Sequence, residues 1–229
     1  MGLEAVMICV DNSEWSRNCD YTPSRFDGQN EAANLLAGHK TGQNPETGVG
    51  LMTMAGERAE IHLTPTTDLG AFIAALSEMQ IKGKADLVKA IQTATLALKH
   101  RQNKNQKQKI ISFVGSPVEA TEKQLETLGK NLKKNNVTLD IVSFGEIEEN
   151  RPKLQKLIDS CNSNDTSHLI EVELPKILSD AILSSAICFG QLRTRCRPKC
   201  GSRTRIGTAH LHGRSQKTRG RTGGRRRRG

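Results

Sequence analysis

Five apolar residues that run straight into an acid constrain this chain more than any other stretch. Val6-Met7-Ile8-Cys9-Val10 is followed by Asp11-Asn12-Ser13-Glu14. A run this short, rich in Val and Ile and without polar alternation, reads as a strand buried on both faces. In an open α/β sheet the crevice beyond such strand ends is where ligands and partners bind. Asp11, Asn12 and Ser13 therefore stand where function is expected.

The rest of the chain repeats the theme. After a strand over residues 4–10, Thr22-Pro23 reads as an N-cap with proline at the first helical position. That helix runs to about residue 39 and buries Phe26, Ala33, Leu36 and Ala37. Residues 44–48 carry turn chemistry, and the apolar runs 49–54 and 59–63 are close enough to form a hairpin at the sheet edge. Thr66 and Thr67 offer a cap for a helix with Leu69, Phe72, Ile73, Leu76 and Met79 on one face. Residues 84–101 make a third helix, with Val88, Ile91, Thr95 and Leu98 at helical spacing. A strand over 110–115 precedes Ser116-Pro117, and Thr121-x-x-Gln124 is a capping-box pattern. A strand over 137–144, a helix over 152–161, a strand over 168–172 and a short helix over 177–183 complete the series. Strands alternating with helices predict an α/β fold: a doubly wound, mostly parallel sheet with helices on both faces.

Charge divides the chain. Of its 34 Lys and Arg, 14 lie in Gln191–Gly229, which holds no acid; the preceding residues carry 20 bases against 24 acids, a net of −4. We expect a mildly acidic domain over residues 1–188 and an Arg-rich, disordered tail over 189–229, since the tail has few large apolar side chains with which to build a core. The N-terminus lacks a basic leader region and no run reaches the roughly 18 apolar residues of a membrane helix, so neither a secretory leader nor a membrane span is expected. Cys9 falls in a buried strand and Cys161 in a helix, with Cys19, Cys188, Cys196 and Cys200 scattered elsewhere. That is the pattern of reduced thiols, as in cytosolic or nuclear proteins, and not of a disulfide framework.

Enzyme motifs are missing. There is no phosphate loop, no dinucleotide fingerprint after the first strand and no nucleophile elbow. His39, His62, His100 and His168 are apart in sequence, on predicted helix ends and strand edges. No catalytic residue and no cofactor is assigned. One motif does suggest a metal: Asp11-Asn12-Ser13 after an apolar strand resembles the start of the metal-dependent adhesion site of von Willebrand type A domains. That site uses D-x-S-x-S, a Thr from a later loop and an Asp after a later strand, because Mg²⁺ takes near-octahedral oxygen ligands. Here Trp15 replaces the second Ser, the later loop reads Lys82-Gly83-Lys84-Ala85-Asp86, and the later strand ends in Gly115-Ser116-Pro117. The expectation is the type A fold without a working metal site. A metal-dependent type A adhesion or assembly domain is the alternative.

A closer resemblance covers about residues 1–187, in order and without a large gap. Val10-Asp11-Asn12-Ser13-Glu14, Pro23-Ser24-Arg25-Phe26, Asn44-Pro45-Glu46, the stretch from Leu96 to Lys104, Phe113-Val114-Gly115-Ser116-Pro117 and Leu132-Lys133-Lys134-Asn135-Asn136-Val137 carry it. They are similar to the family of ubiquitin-receptor subunits of the 26S proteasome regulatory particle. The resemblance implies a non-enzymatic type A domain that docks between proteasome lid and base subunits, in cytoplasm and nucleus. It also implies C-terminal ubiquitin-interacting helices that capture ubiquitin chains, docking an apolar helix face on ubiquitin. Asp11, Asn12, Ser13 and Ser116 are the candidate partner-docking residues, Asp11 foremost; the alternative for Asp11 is a purely structural cap on its own loop through the Ser13 and Glu14 amides.

Read literally, the tail contains no ubiquitin-interacting pattern. Its arginines suit an acidic surface or nucleic acid, which makes a nucleic-acid-binding protein a further alternative. Cys196, Cys200, His210 and His212 do not match common zinc spacings. A one-base shift of frame offers another reading. Codons for Cys196 to Lys217, read from their second base, permit A-D-P-N-V-D-P-E-L-A-L-A-L-H-I-S-M-E-E-A-K-K, which holds the family's ubiquitin-interacting pattern. The same shift turns poly-Arg into poly-Glu. We expect a frameshift beginning between about Ala186 and Cys196.

Overall fold

Why the chain becomes one layered sheet follows from which strands are apolar on both sides. In the computed structural model, which describes residues 2–162 and 166–189, six strands form one sheet: β1 (Glu4–Val10), β2 (Gly48–Thr53), β3 (Glu60–Thr66), β4 (Lys107–Val114), β5 (Val137–Phe144) and β6 (Leu169–Val172). Their spatial order is β3-β2-β1-β4-β5-β6. All neighbours are parallel except β2 and β3, which form the edge hairpin that the short gap predicts. Strand order reverses between β1 and β4, so the ends of these two strands flank the topological switch point.

The helices are α1 (Arg25–Gln43), α2 (Leu69–Glu78), α3 (Leu87–Lys99), α4 (Glu122–Lys134), α5 (Ile147–Cys161), α6 (Leu178–Leu183) and α7 (Ala186–Phe189). Alternate strand residues feed two cores. Met7 and Cys9 of β1, Ile110 of β4 and Leu139 and Ile141 of β5 pack under α3, α4 and α5. Val6, Ile8 and Val10, with Ile111, Phe113, Val142 and Phe144, pack under α1, α2 and α6. Leu125, Leu128 and Leu132 bury one stripe of α4, each contributing about 1.5–3 kcal/mol by leaving water.

The starts of α1, α2 and α3 differ from the sequence reading. Ser24, not Thr22, caps α1, its hydroxyl accepting from the Asp27 amide at 3.1 Å. Asp86 caps α3, which starts at Leu87 and not at Lys84, and Asp68 caps α2 in place of Thr66 and Thr67. A carboxylate both accepts the free amides and complements the positive helix end, so it outcompetes a neighbouring hydroxyl. α5 begins at Ile147, before Pro152, because Ile147 and Asn150 are buried and dock its first turn. The tail from Gly190 onward, with Cys196, Cys200, His210, His212 and the shifted frame expected there, lies outside the described residues.

Candidate functional site: the crevice at the ends of β1 and β4

Asp11 leaves β1 with its side chain fully buried. Its Oδ1 accepts the Ser13 amide at 3.0 Å. Its Oδ2 accepts the Gly115 amide at 3.1 Å and the Ser116 hydroxyl at 2.7 Å, both from the end of β4. The backbone of Asp11 is tied as well: its amide donates to Gln29 Oε1 at 3.1 Å, while Gln29 Nε2 and the Ser16 hydroxyl donate to its carbonyl. A buried carboxylate without a counter-ion is costly unless such donors replace its water.

Asn12 ties in the next loop. Its Nδ2 donates to the Gln80 carbonyl at 2.8 Å and its Oδ1 accepts the Ala55 amide at 2.9 Å. Backbone bonds from Lys82 to Asn12 and from Glu14 to Gly83 complete the seam. The structure thus brings Asp11, Asn12, Ser13 and Ser116 together, but all four are buried, and the side chains of Asp11, Asn12 and Ser116 are turned to internal partners. Asp11 caps its loop through Ser13; the Glu14 amide goes to Gly83 instead. What faces outward is a short 3-10 turn, Glu14–Arg17, that exposes Trp15 at 43 %.

Other residues of the crevice carried no sequence signal. Arg25 Nη1 donates to the Gly115 carbonyl at 2.6 Å, and its Nε and Nη2 hold Asp20 at 2.8 and 2.6 Å. The Arg25 guanidinium accordingly draws the Asp20 carboxyl below its usual range. Asn150 of α5 donates to the Ser116 carbonyl at 2.9 Å and accepts the Val118 amide at 2.8 Å. Tyr21 donates to the Val172 carbonyl at 2.5 Å and accepts from the Gly145 amide. Apart from the local Asp20–Arg25 pair, these partners lie 32 to 151 residues apart, so no local pattern announces them.

The crevice residues do not fit a divalent ion. Both Asp11 oxygens are already bound to protein donors, Trp15 supplies no oxygen, and the loop facing the site brings Lys82 and Lys84. Ser13 Oγ, buried and without a hydrogen-bond partner among the described atoms, is one leftover oxygen where Mg²⁺ takes about six. Among the described residues no three His, Cys, Asp or Glu are grouped to hold a metal. Burial pushes the Cys9 thiol, near the end of β1, far up and away from the reactive thiolate. A cleft of about 540 Å³ opens beside the crevice over Met54, Leu87, Val114 and Val118, bridged at its rim by an exposed Lys84–Glu119 pair. Among the described residues the cysteines, Cys9, Cys19, Cys161 and Cys188, are free, and no helix is long and apolar enough to cross a membrane.

Residues 6–118 match the model of the von Willebrand factor type A domain. The 26S proteasome non-ATPase regulatory subunit 4 homolog of Oryza sativa is 54 % identical over 193 residues, covering 83 % of this chain and 48 % of that protein. The 26S proteasome regulatory subunit rpn10 of Schizosaccharomyces pombe is 44 % identical, covering 83 % of this chain and 78 % of the relative. The crystal structure of the SpRpn10 VWA domain superposes with a TM-score of 0.76 at 44 % identity, over 81 % of this chain and 96 % of that one. The chain spans about half the length of the plant relatives it matches.

Proposed function

The chain belongs to the family of the 26S proteasome non-ATPase regulatory subunit 4, and we propose on that basis that it is a non-catalytic subunit of the proteasome regulatory particle. Its type A domain docks between lid and base subunits through the crevice face, in cytoplasm and nucleus. The observation that carries this reading is the state of Asp11. Its carboxylate is buried, and three protein donors saturate it and fix the loop that presents Trp15. Asp11, Asn12, Ser13 and Ser116 therefore shape the docking surface from within, and the exposed Glu14–Arg17 turn makes the contact. Trp and Arg are the side chains that most often anchor protein interfaces.

Capture of ubiquitin chains belongs to the C-terminal part of the family's pattern. The tail as it reads, Gln191 to Gly229, lacks that pattern, and the shifted frame would restore it. Mass spectrometry of C-terminal peptides decides between the two frames: Arg-rich peptides retire the shifted one.

The docking reading is tested by co-purification of tagged full-length chain with proteasomes. Trp15→Ala should cost about 2 kcal/mol of docking free energy, roughly thirtyfold in affinity, as for a typical anchor. Asp11→Ala should weaken incorporation through its loop. Wild-type incorporation of both variants, with folds verified by circular dichroism, would overturn the proposal. Calorimetry with Mg²⁺ should show no specific binding; a measurable site would favour the metal-dependent alternative.

A further inference from the structure

We propose that Arg25 is the positioning residue of this docking crevice, acting with Asp20 as a second pin on the loop that carries Trp15. The inference rests on the docking reading above and goes further, because it assigns the geometry of the rim to a buried residue behind the exposed turn.

Arg25 is out of place by local rules. It is the first residue of α1, where the positive helix end disfavours a cation, and it is only 4 % exposed. Its position is explained by its partners. The guanidinium fork grips Asp20 with two nitrogens and the Gly115 carbonyl with the third, and Glu146 lies 3.4 Å from Nη2. Its own amide donates to the Asn18 carbonyl at 2.8 Å, closing the far end of the turn that bears Trp15.

The near end of that loop is pinned by Asp11. Asp11 takes the Ser13 amide, its carbonyl takes the Ser16 hydroxyl, and its Oδ2 takes the Gly115 amide. Gly115 is thus held by both backbone groups, its N–H on Asp11 and its carbonyl on Arg25. Both pins of the Trp15 loop close on one residue at the end of β4.

Two glycines make room for this clamp. A side chain at Gly115 would approach the Phe144 ring to 2.5 Å. Gly145 has φ +79° and lies against the guanidinium, so a side chain there would be strained and would collide with Arg25. Lysine cannot replace the fork, since a single ammonium cannot span Asp20 and Gly115 in one plane.

The test uses the full chain and purified proteasomes. Arg25→Lys keeps the charge, and Asp20→Asn keeps Arg25 while loosening its grip. Each should weaken docking about tenfold while circular dichroism shows an intact fold. Trp15 is the only tryptophan, so its fluorescence reports the rim directly. Acrylamide quenching of Trp15 should rise in both variants, a change that a role confined to overall stability would not produce. In a double-mutant cycle, Asp11→Asn and Arg25→Lys should be less than additive in docking, because both act through Gly115. If Arg25→Lys does not fold, Asp20→Asn alone decides. Wild-type docking and quenching in a folded variant, or strict additivity, would overturn the positioning role. If Trp15→Ala also docks normally, the docking reading fails; if only the Arg25 and Asp20 variants do, the docking reading stands without this clamp.

Discussion

Asp11 and Asp140 are both fully buried, one just past the end of β1 and the other within β5 on the far side of β4, and they are held in opposite ways. Asp11, at the end of β1, accepts two amides and a hydroxyl and has no ion pair among the described residues. Asp140, midway along β5, faces the Lys109 ammonium at 2.6 Å, and its other oxygen takes the His168 amide at 3.0 Å and lies 3.1 Å from the His168 ring. The first carboxylate is stabilised by dipoles whose positions depend on two loops, those after β1 and β4. The second is stabilised by the His168 hydrogen bond and by a countercharge on the neighbouring strand. Asp11 therefore registers the shape of the crevice, whereas Asp140 registers the charge state of the sheet.

The largest effect should come from removing the countercharge. Lys109 is 12 % exposed at its side chain, and breaking a buried pair from one side typically costs about 3–5 kcal/mol. Lys109→Met should lower stability by that order in urea titrations. Replacing both partners, Lys109→Met with Asp140→Leu, should recover most of the loss, because a well-packed apolar pair has no charge to desolvate. If the single variant is nearly neutral, Asp140 is carried by His168 and its amide, and the contrast with Asp11 disappears.

Acid sharpens the same contrast. Burial pushes the Asp140 carboxyl up, but the His168 hydrogen bond and the Lys109 charge outweigh it, so the group lies below the ordinary carboxylate range. A carboxylate with a depressed folded value contributes fully above the unfolded value of about 3.9 and loses that contribution as pH falls through the folded one. The stability advantage of wild type over Asp140→Asn should therefore shrink as pH falls below about 4. Asp20 and Asp86 are depressed too and titrate in both proteins, so the difference between them isolates Asp140. An advantage unchanged down to pH 2 would show that the carboxylate's charge is not what stabilises β5.

The sequence made one half of this picture legible. The strands are continuous apolar runs, and Asp11, Asn12, Ser13 and Ser116 announce themselves as the polar residues at which two of those runs stop. Their convergence follows once β1 and β4 are neighbours. Arg25, Gln29, Tyr21 and Asn150 were not legible, because each sits on a helix or in a loop and acts on a backbone group 18 to 151 residues away. Asp140 escaped notice for a related reason: inside an apolar strand its countercharge comes from β4, in a register fixed only when the sheet forms. The burial of the four predicted site residues was also beyond the pattern. Strand ends mark a crevice, but whether its side chains point to solvent or into neighbouring loops depends on those loops' free amides. Helix starts failed more simply, where the residue that caps stood a few positions from the one expected: Ser24 for Thr22, Asp68 for Thr66 and Thr67.

The smallest effect probes the dipole side of the comparison. Ser116→Ala removes one of three donors to Asp11 and leaves the Ser13 and Gly115 amides in place. The loss should be about 0.5–1.5 kcal/mol, the net worth of one hydrogen bond, and up to about 3 if the carboxylate's charge is counted in full. No large cavity forms, because one oxygen atom is removed and the Ser116 carbonyl stays bound to Asn150. Docking should fall by less than in Trp15→Ala, since the pins on Gly115 remain. Urea titration beside co-purification measures both quantities. A loss as large as that of Lys109→Met would mean that the hydroxyl, not the backbone, carries Asp11, and the crevice would then be held by one side chain rather than by the loops that converge on it.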